Sequence, residues 1–235
     1  MHPTARRTAL VIGMAALSGG CLGCSADSPG PPAEVSSTRV TLSGPGASTA
    51  STQTPQPGVT PTTPEEAIST IALAAADLPG GWTVREGPTN GDIENDPTFL
   101  GLCDFEFRSE RRRTAKVPVT GLDPAGNPVL TTEAVSYDES EAAQLALIEL
   151  RGAYGNCPPD QTFTDLPPAD QTGLAEDRVV VEYTLAEGTV QTVIVQRRGS
   201  VLSVVLGEAR LIVFDVARKI SQRLSALTPE AAGEI

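Results

Sequence analysis

RVVVEYTLAEGTVQTVIVQRRGSVLSVVL, residues 178–206, is the stretch on which the fold turns. It is rich in valine, isoleucine, tyrosine and threonine, the residues that fit a pleated, half-buried surface. Between Arg178 and Leu185 the side chains of Val179, Val181, Tyr183 and Leu185 alternate onto one face, the period-two pattern of a strand. Glu187-Gly188 turns the chain into Val190–Arg197, and Arg198-Gly199 turns it again into Val201–Leu206. Turns this short join antiparallel neighbours. The expectation is three consecutive antiparallel strands whose apolar faces need a cover.

Helical patterns on either side supply the cover. Downstream, Val213, Ala217, Ile220, Leu224 and Leu227 form one stripe of a helix expected from about Glu208 to Leu227. Upstream, Asp138 with Glu141 three residues on reads as a cap, and Ala143, Leu147, Leu150 and Tyr154 follow at helical spacing. Gly155 and Cys157-Pro158-Pro159 end that helix. Further upstream, Thr114–Thr120 and Val129–Tyr137 read as two strands around the turn-forming residues 121–128. Trp82-Thr83-Val84 begins a short extended segment, and Pro88–Leu100 reads as irregular. Thr63-Pro64-Glu65-Glu66 combines an N-cap, a proline at the first helical position and a capping-box glutamate. That helix carries Ile68, Ile71, Ala72 and Ala75 on one face and is expected to run until just before Pro79-Gly80-Gly81. The order is helix, strands, helix, strands, helix. It specifies an α+β domain, an antiparallel β-sheet with flanking helices, over residues 64–235.

The N-terminus bears on compartment. Arg6 and Arg7 precede an apolar run from Ala9 to Leu17, and Ser18-Gly19-Gly20-Cys21 follows. A basic start, a short apolar centre and small residues before the cut describe a secretory signal peptide, here residues 1–20. The run is shorter than the roughly 20 apolar residues of a membrane span. A cysteine at the cut fits a lipobox, with Cys21 as the lipidated residue and Cys24 as the alternative, since cleavage before Cys24 would leave no odd thiol. Residues 21–63 then form a Ser/Thr/Pro-rich linker with almost no charge and no aromatic residue, a composition expected to stay disordered. As a flexible coil it would reach roughly 35 Å. The expected location is the extracytoplasmic face of the cell membrane, held by the lipid anchor.

Charge and histidine content exclude several classes. From Pro64 onward 27 Asp+Glu oppose 14 Lys+Arg, the wrong sign for a nucleic-acid partner. The only histidine is His2, inside the segment that export removes. Histidine-based triads and histidine metal sites are therefore excluded from the mature protein. There is no phosphate-binding glycine loop, no G-x-S-x-G and no S-x-x-K. No cofactor and no metal site are expected. Asp92-x-Glu94-x-Asp96 begins like a calcium loop, but Pro97 and Cys103 stand where glycine and a bidentate glutamate are needed.

Three features remain as candidate sites. Cys103 and Cys157 are the only cysteines of the folded segment, and in an oxidising compartment they are expected to be bridged. The bridge would close a loop worth roughly 4 kcal/mol; a redox pair is the alternative. Trp82, the only tryptophan, is a core anchor or a stacking platform for a ligand. Arg111, Arg112 and Arg113 form the one basic run of an acidic domain. They are a solvated strand edge or a contact for an anionic envelope ligand such as a glycolipid.

Several local motifs together carry a family resemblance. They are Ala76-Asp77-Leu78-Pro79-Gly80-Gly81-Trp82, Cys103 with Phe107-x-Ser109-Glu110, Glu133-Ala134-Val135-x-Tyr137, Ala153-Tyr154-Gly155-Asn156-Cys157-Pro158 and Arg197-Arg198-Gly199. The chain from about Pro64 onward resembles the exported actinobacterial sensor domains of the PknH extracellular type. The resemblance implies an antiparallel sheet flanked by helices and a cleft for a ligand. One departure stands out. The kinase's domain has two disulfides, and the cysteines here suffice for one, Cys103–Cys157. No kinase domain is present, so signalling would pass through a separate partner.

Two functions from different classes follow. The first is a non-catalytic sensor or ligand-binding lipoprotein whose envelope ligand is a glycolipid or glycan. The second is an envelope enzyme acting on carbohydrate or peptide through carboxylates. Under the first, the apolar faces of the last two long helices leave a groove with Trp82 or Arg111–Arg113 at its rim, or else close into an ordinary core.

Overall fold

A computed structural model describes residues 60–88, 98–99 and 102–234. The expected signal peptide, Cys21, Cys24, the linker up to residue 59 and the Asp92–Asp96 run lie outside the described residues. In chain order the helices are α1 (Pro64–Ile71), α2 (Ser140–Ala153), α3 (Arg210–Ala226) and α4 (Pro229–Ala232). The strands are β1 (Thr83–Glu86), β2 (Arg113–Leu122), β3 (Pro128–Tyr137), β4 (Thr162–Asp165), β5 (Arg178–Thr184), β6 (Val190–Arg198) and β7 (Val201–Gly207).

Residues 178–206 fold as their alternation predicts, into β5, β6 and β7. The full sheet has seven strands in the order β1-β2-β3-β7-β6-β5-β4, and every pairing is antiparallel. It is built from two blocks, β1–β3 and β4–β7, zipped together between β3 and β7 over Leu130↔Gly207 to Ser136↔Val201. Gly207 permits the close approach at one end of this seam. A Cβ there would stand 2.8 Å from the Val129 carbonyl oxygen.

Both faces of the sheet are covered, so the central strands read as nearly continuous apolar runs. On β7, Val201 and Val205 face α1, α3 and α4, while Leu202 and Val204 face α2. On β5, Val180 joins the first core, and Val179, Val181 and Tyr183 join the second. The α3 stripe closes onto the first core through Val213, Ala217, Ile220 and Leu224. The α2 stripe closes onto the second through Ala143, Ala146, Leu147 and Leu150. The disulfide lies on the α2 face, with Cα atoms 4.4 Å apart, inside the roughly 7 Å that bridging allows.

Several boundaries differ from the sequence reading, each for a tertiary reason. Helix α1 begins as expected, with the Thr63 hydroxyl accepting from the Glu66 N–H at 3.3 Å, but it ends at Ile71. Its last carbonyls are taken by α3, where Arg223 donates to the Ile71 and Ala72 oxygens at 3.3 and 3.1 Å. The chain then makes a separate 3-10 turn at Ala75–Asp77, closed by Asp77 accepting from the Ala74 N–H at 2.8 Å. Asp138 does not cap α2; the N-cap is Glu139, and Asp138 pairs with Arg112 instead. Strand β4 and helix α4 escape the sequence pattern because each is only four residues long.

Candidate functional site

At one end of the sheet the chain leaves an open groove of about 1470 Å³. Its floor is the β6–β7 turn. Gly199 there takes φ +56, and a Cβ on it would overlap the Ala232 carbonyl. The turn is held against the C-terminal segment, with the Ser200 N–H donating to the Ala232 oxygen at 2.7 Å. One wall is the start of α2 with Asp138, Glu139, Ser140 and Glu141; another is the loop Gly173–Asp177. The C-terminal half of α3 and Gly233-Glu234 complete it.

The two arginines of the turn brace these walls. Arg197, with its side chain 10 % exposed, pairs with Asp177 at 2.6 Å and donates to Ser140 Oγ at 3.2 Å and to the Gly199 carbonyl at 2.8 Å. Its Nε is buried without an acceptor. Arg198 binds both carboxylate oxygens of Glu234 and caps α3 by donating to the Leu224 and Ser225 carbonyls. Around these two cations stand six carboxylates, Asp138, Glu139, Glu141, Glu176, Asp177 and Glu234. Among the described residues Glu141 and Glu176 have no ion-pair partner and no side-chain hydrogen bond.

Of the residues singled out from sequence, Cys103 and Cys157 are joined, whereas the ligand-binding candidates Trp82 and Arg111–Arg113 do not line the groove. Trp82 is half-buried and packs against the α1/α3 core, as do Val84, Leu174 and Ile212. The three consecutive arginines diverge. Arg111 is exposed and pairs with Glu106 at 2.8 Å. Arg112 reaches Asp138 at 3.0 Å and Glu139 at 2.8 Å, at the rim of the groove. Arg113 is buried and pairs with Glu110 at 2.9 Å. Each guanidinium thus faces a carboxylate. The apolar faces of α2 and α3 lie on opposite sides of the sheet and close onto it, so they enclose no common groove.

A second polar cluster lies buried on the α2 face, outside the groove. Glu149 of α2 accepts from the Arg108 N–H at 3.0 Å and from the Ser109 N–H and hydroxyl at 3.0 and 2.8 Å. Burial pushes the Glu110 carboxyl above its ordinary value, against the pull of Arg113, the Thr98 N–H and Lys116. Burial likewise raises the Tyr137 hydroxyl well above its usual range. Lys116 is 1 % exposed, with Glu133 at 3.8 Å. Sequence reasoning missed this cluster and the groove. Ser109, Glu110, Glu133 and Tyr137 stand among the motifs that carry the family resemblance, but the approach of Glu133 and Tyr137 to this cluster depends on the β2–β3 register.

Seven antiparallel strands covered on both faces, one disulfide and a polar groove at the sheet's end define the class: an α+β domain with an open concave site. A solved structure is similar in fold, the crystal structure of the extracellular domain of PknH from Mycobacterium tuberculosis. The likeness spans 70 % of this chain and the whole of that one, at 14 % identity and a TM-score of 0.42. No family model matches the chain, and no curated protein matches it. Among the described residues no helix is long and apolar enough to cross a membrane, and no cluster of histidine, cysteine or acidic side chains is suited to a metal ion.

Proposed function

We propose that this chain is an exported lipoprotein whose domain binds an envelope ligand without transforming it, with the groove as the seat. The observation that carries this reading is the groove itself: it is open, polar and braced by Arg197 and Arg198, whose hydrogen bonds fix its walls. A site so braced is preorganised for binding, which lowers the ordering cost of association. Glu110, the carboxyl that burial biases toward its acid form, lies away from the groove. The absence of histidine after His2 removes the usual proton-transfer agent near neutral pH. The linker at 21–63 would hold the domain off the membrane from a lipid on Cys21, or on Cys24. The sensor-domain resemblance of the sequence motifs agrees with this arrangement. Signalling would pass to a separate partner.

The second reading, a carboxylate enzyme acting on glycan or peptide, draws on the six acidic residues that line the groove. A thermal-shift screen of the purified full chain against envelope glycolipids, peptidoglycan fragments and glycans separates the two. A ligand present at one hundred times its dissociation constant should add about 2.7 kcal/mol of stability. Turnover of any of these compounds, abolished by one Asp or Glu substitution in the groove, would replace the first reading by the second. For the anchor, changing both Cys21 and Cys24 to serine should move the protein out of the membrane fraction. Retention after a carbonate wash would count against lipidation at either cysteine.

A further inference from the structure

We infer that the Cys103–Cys157 bridge is a site of thiol–disulfide exchange, where a dithiol reductant opens the bond in the folded domain and releases Leu102–Glu106 from the end of α2. Backbone strain is the first ground. Among the described residues only Cys103 (φ 54) and Asp104 (φ 55) take a positive φ without being glycine, and they stand side by side at the bridge. The left-handed region is costly for a residue with a Cβ and persists where the surroundings enforce it. Aspartate tolerates it through its short polar side chain. Cysteine has no such device, and the covalent bond to Cys157 supplies the constraint. Loop closure outweighs the cost while the bond stands; once the bond breaks, the turn can relax.

Access is the second ground. Cys103 is 6 % exposed, whereas Cys157 is half-buried between the exposed Asn156 and Pro158. An incoming thiolate therefore attacks Cys157 Sγ. A bond from the reductant's sulfur to Cys157 forms, the bond to Cys103 breaks, and Cys103 leaves as a thiolate that takes a proton from solvent. The reductant's second thiol, as thiolate, then displaces Cys157, which is protonated in turn. The bridge gains two electrons and two protons; the dithiol loses both and closes into its own disulfide. The third ground is that the opening is bounded. Phe107 is buried in the second core, and Glu149 holds Arg108 and Ser109. Before that clamp, Asp104 and Glu106 are exposed, and Phe105 is half-buried with its ring against Gly152 of α2. A segment with so little buried surface opens without the rest of the domain. Neither the bridge nor this segment lines the groove, so the site stands apart from the ligand seat.

The test uses the full chain with Cys21→Ser and Cys24→Ser, which leaves the bridge as its only source of thiols. It is equilibrated with dithiothreitol in native buffer. Alkylation and mass spectrometry count opened bridges, circular dichroism follows the sheet, and amide exchange maps the release. The bridge should open with the dichroism unchanged, and exchange should rise about tenfold or more at 102–106 while β3 and β7 stay protected. Asp104→Gly, which removes the left-handed cost beside the bridge, should lower the equilibrium constant for opening about fivefold. Asp104→Val, with a branched side chain in the same conformation, should raise it by about as much. Position 104 is exposed, so folding is not at stake. Opening only as the dichroism of the sheet collapses would overturn the inference, because the bridge would then be a plain staple. A bridge that stays closed until the chain is denatured would overturn it too. Equal constants for aspartate, glycine and valine at position 104 would remove the strain that drives opening, and the inference with it.

Discussion

On one face of the sheet, α1, α3 and α4 lay apolar stripes over the strands; on the other, α2 works alone. Helix α2 has 14 residues and so spans ~21 Å, whereas the outer strands of a seven-stranded sheet stand ~29 Å apart. The remainder of the α2 face is covered by irregular chain, and that chain is stapled. The disulfide ties Cys103 to Cys157, and Glu149 holds Arg108 and Ser109. Tyr154, Phe163 and Tyr183 stack at 4.1 and 4.2 Å between ring centres. The helical face needs fewer devices because a helix satisfies its own backbone and offers a continuous apolar stripe. Irregular chain must find partners for its backbone groups one by one. Buried charge therefore concentrates where the cover is irregular.

The disulfide should prove the strongest of these staples. Replacing Cys103 and Cys157 with serine should lower stability by about 4 kcal/mol, given the length of the closed loop, and chemical denaturation would measure it. A loss below about 1 kcal/mol would mean that the α2 face is held by packing alone, as its counterpart is. Next comes Glu149→Ala, which leaves two backbone N–H groups and a hydroxyl without an acceptor. About 3 kcal/mol is expected, with amide exchange rising at Arg108 and Ser109 ahead of the sheet. Uniform exchange instead would show that the 3-10 turn at Ser109–Arg112 is not separately clamped.

The helical face has a buried charged device of its own. Asp77, 8 % exposed at its side chain, accepts from the two terminal guanidinium nitrogens of Arg223 at 2.8 Å each. Burial alone would raise its carboxyl, but hydrogen bonds from Arg223 and the Ala74 N–H, with the charges of Arg223 and Lys219, hold it below the ordinary value. A carboxyl depressed in the folded state adds stability above the unfolded value of about 3.9 and loses it as pH falls through the folded value. Asp77→Asn should thus cost about 2 kcal/mol near neutral pH. The gap from the parent protein should close below about pH 4; a gap independent of pH would assign the effect to geometry alone. At the bottom of the scale, Arg111→Ala removes an ion pair whose partners are 79 % and 75 % exposed. Its melting temperature should match the parent's, since such pairs add little. A clear drop would show that the basic run contributes to the α2-side cover after all.

The particular side chains show where sequence reading reaches its limit. Arg111, Arg112 and Arg113 look alike in sequence, yet one is free in solvent with Glu106, one spans to Asp138 and Glu139, and one is buried with Glu110. A 3-10 turn running directly into β2 sends them in different directions. The groove is harder still to anticipate. Its walls come from residues 64, 138–141, 173–177, 197–200, 221–222, 224–225 and 233–234, and no local pattern links them.

By itself the sequence determined whatever repeats within a few residues. Alternation set β5, β6 and β7, their short turns set the antiparallel order, spacing of three and four set α2 and α3, and Thr63-Pro64 set the start of α1. It also determined the disulfide, since two cysteines leave one pairing. Only the tertiary structure decided the β3–β7 seam, the end of α1, the buried cluster around Glu110 and Glu149, and the groove. Asp77 and Arg223 are 146 residues apart in the chain. Local patterns record the backbone's own periodicity, while contacts at that separation arise only after the sheet has fixed which faces meet.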